Sequence, residues 1–532
     1  MTVFASKAAP SLEKLRGGYY TPAKIADFLA TWVGEAGTKQ LEPSCGDGVV
    51  LAALERLAGH VVGIELNEAE AAKAQAAAPG ACVVVDDFFS WFSAGQWGAW
   101  HGVAGNPPFI RYGSWTEPAR ERAFAVMREV GMRPTKLTNA WVPFVVAGAL
   151  SLCRDGRMGM VVPAELMQVN YAAELRAFLV DHFSELTVVT FRRLVFDEVL
   201  QEVVLLLGIC GEGPARMRVV EVEDFDVLPN AAELRAIPHA PALRHETEKW
   251  TKYFLDARGI SALRSVRDGE LLGRLGELAD VDVGVVTGRN QFFVMRPSTA
   301  IERGVQRHLV PLVSRSAHLR GVRFADSDLA RLREEDAPCE LLALSDTSEP
   351  GSDDMLARYI AAGESDGVHE GYKCSIRRRW WVVPSQWTPD AFLFRQIHDH
   401  PRIIANLTAA TSTDTIHRVR MTNGLAPEKL AAASINTATF AFSEVVGRSY
   451  GGGVLELEPR EAEALPFPDP KPLAKSDVAR VDRLLREGAL EAALDHVDAK
   501  LLGHVEPELL TELRRVWLRL RDRRLARGRR SG

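Results

Sequence analysis

The sequence is poor in cysteine and has no two cysteines close together: Cys45, Cys82, Cys153, Cys210, Cys339 and Cys374 are widely spaced, with no CxxC pair. That pattern argues against a disulfide framework and against a cysteine zinc site, and no metal is expected. No run of about 18 apolar residues is present, so no membrane span is expected. The segment "MTVFASKAAPSLEKLRGG" lacks an apolar core of signal-peptide length, and a cytoplasmic location follows as the expectation. Charge of neither sign dominates: 64 basic and 70 acidic residues leave a net charge of −6. A polyanionic partner therefore has to be met by a local basic surface rather than by bulk charge. Neither GxGxxG nor GxxxxGK[ST] occurs as a strand-to-helix signature, which gives a dinucleotide pyrophosphate or a nucleoside triphosphate little support.

What the sequence does have is alternation. Its 532 residues, 47% hydrophobic and 25% charged, leave room for two to four domains at roughly 100 to 200 residues each. Short β-branched runs at 60–66, 81–88, 101–105, 157–164, 186–191 and 202–210 read as buried strands. Segments 49–59, 68–78, 139–153 and 171–183 carry apolar residues at helical spacing. Strand and helix in turn imply an α/β fold with a mostly parallel sheet covered on both faces. The expected domain limits are 1–225, then a mixed α+β domain over 226–472 with strand-like runs at 280–286 and 379–384, then a helical extension over 473–532. "PFPDPKP" ends the second domain with four prolines in seven residues, and Ser476 is the expected N-cap of the helix beyond. The last 20 residues hold nine arginines against one acid, the pattern of a solvated helix end or, less favoured, of a phosphate-contacting arm.

The stretch "LEPSCGDGVVLAAL" has the form of a strand, a glycine turn and a helix. In an open parallel sheet, ligands sit outside the carboxyl ends of the strands, where small residues let the backbone approach. Glu42, Pro43, Cys45, Gly46 and Gly48 are accordingly candidate cofactor contacts. Glu65 closes the next strand, where a carboxylate can accept both hydroxyls of a ribose. Asp87 and Phe88 close the third, placing an acceptor for an adenine amine beside a ring that can stack on the base. Each acid alone is more often a solvated strand end; three successive strands ending this way on one rim favour binding.

The fourth strand runs into "VAGNPPFIRY", and "NPPF" there resembles the [DNS]PP[YFW] signature of amino-methyltransferases. An exocyclic adenine amine is a poor nucleophile because its lone pair is delocalised into the ring. The resemblance implies that Asn106 Oδ1 and the Pro107 carbonyl accept its two N–H groups, holding the nitrogen pyramidal. Pro107 and Pro108 fix φ near −65° and remove competing donors, and Phe109 can stack on the base. The stiff turn is then a preorganised pair of acceptors.

"LRGGYYTPAKIADFLATWV" before the cofactor turn is similar to the corresponding motif of gamma-class (Taq-type) adenine-N6 DNA methyltransferases of restriction-modification systems, and the order of motifs is that of this class. The resemblance implies a class I (Rossmann-like) S-adenosylmethionine-dependent domain with a C-terminal α+β target-recognition domain. It also implies that Tyr20, Thr21 and Pro22 line the methionine end of the cofactor pocket, and that Phe196, in "VFDEVLQEVVLLL", packs on the flipped adenine. Departures are EPSCGDG in place of a DxGxGxG turn, His101 where an acid is frequent, and NPPF in place of NPPY. The expected partner is double-stranded DNA, with a cognate restriction endonuclease acting separately and the chain a monomer. Lys373, Arg377, Arg378 and Arg379, beside two tryptophans, and Arg289 in "TGRNQFF" are candidate DNA contacts. Cytosine-N4 methylation, or methylation of a protein glutamine or an RNA base, would use the same acceptors. A fused nuclease is disfavoured, since no PD…(D/E)xK cluster is found, and a non-catalytic DNA-binding module would leave NPPF unexplained.

Overall fold

The computed structural model describes residues 21–528 apart from 93, 194, 196–201, 214, 242–248, 270, 346–347, 349–350, 352–353 and 451–452. They form two compact units, one made by the chain up to Ile260 with short segments at 450–452 and from Ala526 onward, and the other by Ser261–Ser449 with Gly453–Leu525.

The first unit is built on an eight-stranded sheet of β1 (Lys39–Glu42), β2 (His60–Glu65), β3 (Cys82–Val85), β4 (Trp100–Gly105), β5 (Leu152–Pro163), β6 (Phe183–Phe191), β7 (Val203–Cys210) and β8 (Arg216–Val222). The order is β3-β2-β1-β4-β5-β7-β6-β8. Strands β1 to β5 run parallel. β7 enters antiparallel between β5 and β6, and β8 is parallel to β6. The six foreseen strands are all present in a mostly parallel α/β sheet. One boundary moves: Leu152 and Cys153, expected at the end of a helix, open β5 instead, because Leu152 pairs with Trp100 on β4.

The helices of this unit are α1 (Ala23–Gly34), α2 (Val49–Glu55), α3 (Glu68–Ala77), α4 (Phe88–Trp91), α5 (Glu117–Glu129), α6 (Trp141–Ser151) and α7 (Ala173–His182). Side chains alternate across a strand, and the two faces follow. Ala104, Val161 and Leu205 pack with α1 and α2 in one core. Val103 and Met160, of opposite parity, face α6, where a Cβ on Gly148 would stand 2.5 Å from Met160 Cε and 3.3 Å from Val103 Cγ1. Both faces are thus closed by apolar helices, and polar groups collect at the strand ends. Chain order reverses between β1 and β4, which opens a crevice at their carboxyl ends.

The second unit is α+β. Its five-stranded sheet takes Ala279–Asp282, Ile416–Met421, Ala391–Phe394, Ile403–Asn406 and Arg323–Phe324 in that spatial order. Three helices, Lys475–Arg486, Leu490–Leu501 and Pro507–Gly528, pack into it. Asp482 accepts the Val322 and Arg323 N–H groups at 2.9 and 3.1 Å, and Asp498 accepts that of Thr437 at 3.0 Å.

Three local expectations change here. Segment 379–384 is a turn and not a strand: Trp380 is buried against Phe292 and Phe293, and Val382 N–H donates to Arg379 O. Ser476 is not the N-cap; the helix starts at Lys475, and Asp477 reaches back to the Ala474 N–H at 2.9 Å. Of the C-terminal arginines, Arg514, Arg515, Arg521 and Arg524 pair with Asp495, Glu512, Asp522 and Glu444, and Arg519 is exposed, while residues 529 and 530 and the side chain at 527 lie outside the described residues.

Candidate active site

The crevice at the strand ends of the first unit is a cavity of about 740 Å³. Its wall starts at the β1 turn. Gly46 (φ +52°) and Gly48 (φ +87°) both take the left-handed region that glycine tolerates. At Gly48 a second constraint applies, because a Cβ would stand 2.5 Å from Ala74 Cα on α3. The turn is tied to β2 by Cys45 N–H donating to Ile64 O at 2.9 Å and by Gly46 N–H donating to Glu65 Oε2 at 2.9 Å. The other oxygen of Glu65 accepts Asn67 N–H at 2.9 Å, and Asn67 Oδ1 caps α3 through Ala69 and Glu70. A carboxylate oxygen can accept more than one hydrogen bond, so Glu65 organises the turn and still offers acceptor sites to a ligand.

Glu42 is 2% exposed and lines the cavity, and its Oε2 has no hydrogen-bond partner among the described residues. Burial, then the nearby Asp47 and Glu65 carboxylates, push its carboxyl well above the ordinary glutamate range. Buried polar atoms are normally satisfied, so this oxygen marks a place where a donor belongs. The Cys45 thiol is buried beside it, and burial raises its pKa, which makes it an inert wall atom.

At the end of β3, Asp87 caps α4, with Oδ1 accepting Ser90 N–H at 3.0 Å, and the same oxygen pairs with Arg122 Nε at 3.1 Å. Phe88, 3% exposed, stacks on Phe144 with centroids 5.3 Å apart. Opposite these groups lies the β4 turn. Asn106 and Pro108 line the same cavity as Glu42, Glu65, Asp87 and Phe88. Ser44 Oγ donates to Asn106 O at 3.5 Å, and Ala140 N–H donates to Ile110 O at 2.9 Å, fixing the turn to β1 and to α6.

The residues singled out from the sequence therefore divide. Thr21, Glu42, Pro43, Cys45, Gly46, Glu65, Asp87, Phe88, Asn106 and Pro108 share one cavity wall. Gly48 caps α2 behind that wall, and Pro22 caps α1. Pro107 is buried beside Asn106, and Phe109 is partly buried against the core next to α1. Tyr20 and Phe196 lie outside the described residues. Trp115, Phe89 and Phe144 were missed. They line the cavity from the loop after NPPF, from α4 and from α6; the only signal for Trp115 was its closeness to NPPF in "NPPFIRYGSW".

In the second unit, Lys373, Arg378 and Arg289 are exposed. Arg377 donates through Nη2 to Val286 O and Thr287 O at 2.8 and 2.9 Å, and Arg379 through Nη1 to Ser348 O at 2.8 Å, so these two stitch loops together. Among the described residues no group of acids, histidines and cysteines is arranged to hold a metal, and no helix is long and apolar enough to cross a membrane.

Residues 72–196 match the profile of the family "Eco57I restriction-modification methylase", and residues 247–502 match "Type II methyltransferase M.Eco57I, C-terminal domain". The chain is similar to Type II methyltransferase M.XamI of Xanthomonas campestris pv. amaranthicola, with 24% identity over 473 residues and 85% of each chain covered. It is also similar to Type II methyltransferase M.AccI of Acinetobacter calcoaceticus, with 20% identity over 473 residues and 83% of each covered. Among solved structures it resembles a DrdV–DNA complex at 12% identity and TM-score 0.49, covering 91% of this chain and 58% of that one. The type IIG restriction endonuclease BpuSI follows at 13% identity and TM-score 0.41, covering 96% of this chain and 66% of that one. The chain thus spans less than two thirds of either solved structure. The two family profiles between them take in more than half of the sequence, and the chain belongs to the restriction-modification DNA methyltransferases.

Proposed function

We propose that the chain transfers a methyl group from S-adenosylmethionine to the exocyclic N6 of an adenine swung out of duplex DNA, and so protects host DNA from a cognate restriction endonuclease. The observation that carries this reading is that Asn106 and Pro108 share one cavity with Glu42, Glu65 and Asp87. Acceptor chemistry and cofactor chemistry face the same chamber.

The residues present fit the cofactor. The buried Oε2 of Glu42 lacks a donor among the described residues, the Gly46 turn admits close backbone approach, and Glu65 and Asp87 stand at consecutive strand ends as acceptors for ribose and adenine. When bound, S-adenosylmethionine supplies an electrophilic methyl on a sulfonium. Asn106 Oδ1 accepts one N–H of the target amine and aims the nitrogen lone pair across the cavity. Pro107, buried beside it, is assigned the second acceptor on the resemblance alone. No general base is assigned before transfer, because the amine can lose its proton afterwards. Trp115 and Phe144 keep the chamber apolar around these polar groups, which strengthens each hydrogen bond within it.

An adenine inside a duplex cannot reach Asn106, and extruding it costs a few kcal/mol. We assign that work and the choice of sequence to the second unit, with exposed Lys373, Arg378 and Arg289 as phosphate contacts. The chain is taken to act as a monomer, with no stable complex with the endonuclease.

Single-base mapping of methylated positions in DNA from cells expressing the chain tests the reading. N6-methyladenine at one recurring motif is expected; N4-methylcytosine there would move the reaction to the other base, and label on RNA or protein alone would reject a DNA substrate. Asn106→Ala should lower kcat by at least about 100-fold, the usual scale for one preorganised polar group, with cofactor affinity near that of the unchanged protein by calorimetry.

A further inference from the structure

Arg418 and Arg420 are two residues apart on the strand Ile416–Met421 and so share one face of the second unit's sheet. Their surroundings differ sharply. Arg418 is 2% exposed and engaged on every side: Nε donates to Val283 O at 3.0 Å, Nη2 to Ser385 Oγ at 3.1 Å, and Nη1 to Ser385 O, while Asp282 pairs with it at 3.3 Å. Arg420 is exposed. Asp280 stands across from it in the strand register, yet among the described residues no carboxylate or carbonyl reaches its guanidinium. Instead its Cζ lies 4.4 Å from the centroid of the Trp387 ring, the same distance as Arg418.

The ring is held there deliberately. Ser385 sits at φ +61°, a left-handed conformation that a residue with a Cβ adopts only when its surroundings impose it. Arg418 imposes it by gripping both the carbonyl and the hydroxyl of Ser385. Thr411 Oγ1 donates to Trp387 O at 3.1 Å and fixes the next residues. The same 283–289 segment that Arg418 ties down through Val283 carries Arg289 and lies against Lys373, whose Cβ would stand 2.8 Å from a Cβ on Gly288. Arg420 thus lies on the strand paired with Ala279–Asp282, the strand that leads into the segment carrying Arg289.

We infer that Arg420, with its guanidinium set on the Trp387 ring, recognises a guanine edge in the major groove and fixes one position of the methylated sequence. A phosphate contact needs only charge, whereas the guanine O6 and N7 pair needs a planar fork with its direction already set. Stacking supplies that direction and reduces the side-chain freedom lost on binding. The inference rests on the DNA-methyltransferase reading above.

Methylated sites are mapped at single-base resolution in cells expressing the unchanged chain, Arg420→Ala or Arg420→Lys, with DNA affinity measured at several salt concentrations. The unchanged chain should require guanine at one position. Arg420→Ala should lose that requirement by tenfold or more, about 1.4 kcal/mol, and Arg420→Lys should lose it too because the fork is gone. An unchanged motif in Arg420→Ala, or full recovery of the motif by Lys, overturns the inference and leaves a phosphate contact at most. Unmethylated DNA from the unchanged chain would instead bring down the enzymatic reading, and this inference with it.

Discussion

Glu65 Oε2 accepts the Gly46 N–H at 2.9 Å, so the acid that ends β2 holds the glycine turn that ends β1. A single carboxylate thus shapes the cofactor turn and faces the cavity. Glu65→Gln keeps one acceptor oxygen, loses the charge and sets an NH2 against the other backbone N–H; cofactor affinity should fall roughly 10-fold, with a smaller loss of stability than in Glu65→Ala. Glu65→Ala removes the acceptor from two backbone N–H groups and should in addition lower stability by about 1 to 3 kcal/mol. Calorimetric binding and urea unfolding on the two variants separate these effects, and equal stability losses in both would contradict the anchoring role.

Glu42 predicts a pH dependence. Burial and two neighbouring carboxylates raise its pKa in the folded protein, so folding favours the protonated form. The corresponding stability is fully present below the ordinary glutamate range and is lost as pH rises through the raised value. Melting temperatures of the ligand-free protein should therefore fall over that interval, and Glu42→Gln should flatten the curve. A positively charged cofactor group donating to Oε2 would favour the ionised carboxylate. Binding should then release a proton, detectable as a dependence of binding heat on buffer ionisation enthalpy that vanishes in Glu42→Gln.

The two glycines of the cofactor turn should respond differently to alanine. At Gly48 the positive φ coincides with a Cβ position 2.5 Å from Ala74 Cα, while at Gly46 nothing lies within 4 Å. Gly46→Ala should cost only the left-handed strain, about 1 to 2 kcal/mol. Gly48→Ala should cost more, because α3 must also move. Denaturant midpoints measure both, and a smaller loss at position 48 would contradict the close approach.

In the second unit, Glu444 and Arg524 are 7% and 3% exposed and meet through two hydrogen bonds of 3.0 and 2.6 Å, with Arg524 Nη1 also on His398 O at 2.9 Å. Removing one partner strands a buried charge. Arg524→Ala should therefore destabilise this unit by about 3 to 5 kcal/mol, whereas the joint change to Arg524→Met and Glu444→Leu should recover most of the loss. Guanidinium unfolding of the single and double variants decides the point.

Much of the first unit was legible because its signals are local. A buried parallel strand must be a short apolar run, a turn at φ above zero asks for glycine, and NPPF carries its own stiffness, so β2 to β7, Gly46, Gly48 and Asn106 were found from neighbours in sequence. Local pattern misled where side chains, not backbone ladders, hold the chain. Arg379–Pro384 has strand composition, yet the anchoring of Arg377 and Arg379 on carbonyls and the burial of Trp380 make it a turn. Arg524 near the C-terminus looked solvated because its buried acidic partner, Glu444, lies 80 residues away in sequence.

By itself the sequence determined the class of sheet, the order of motifs and the stiff NPPF turn, since each depends on residues a few positions apart. The folded chain alone decided which of those residues share a wall. It put Asn106 and Pro108 with Glu42 and Glu65, Pro107 behind them, Phe109 against the core, and Trp115 onto the cavity. It also set Arg420 on Trp387 through a buried Arg418 and a strained Ser385. Such placements arise from packing between segments tens to hundreds of residues apart, and no periodicity along the chain encodes them.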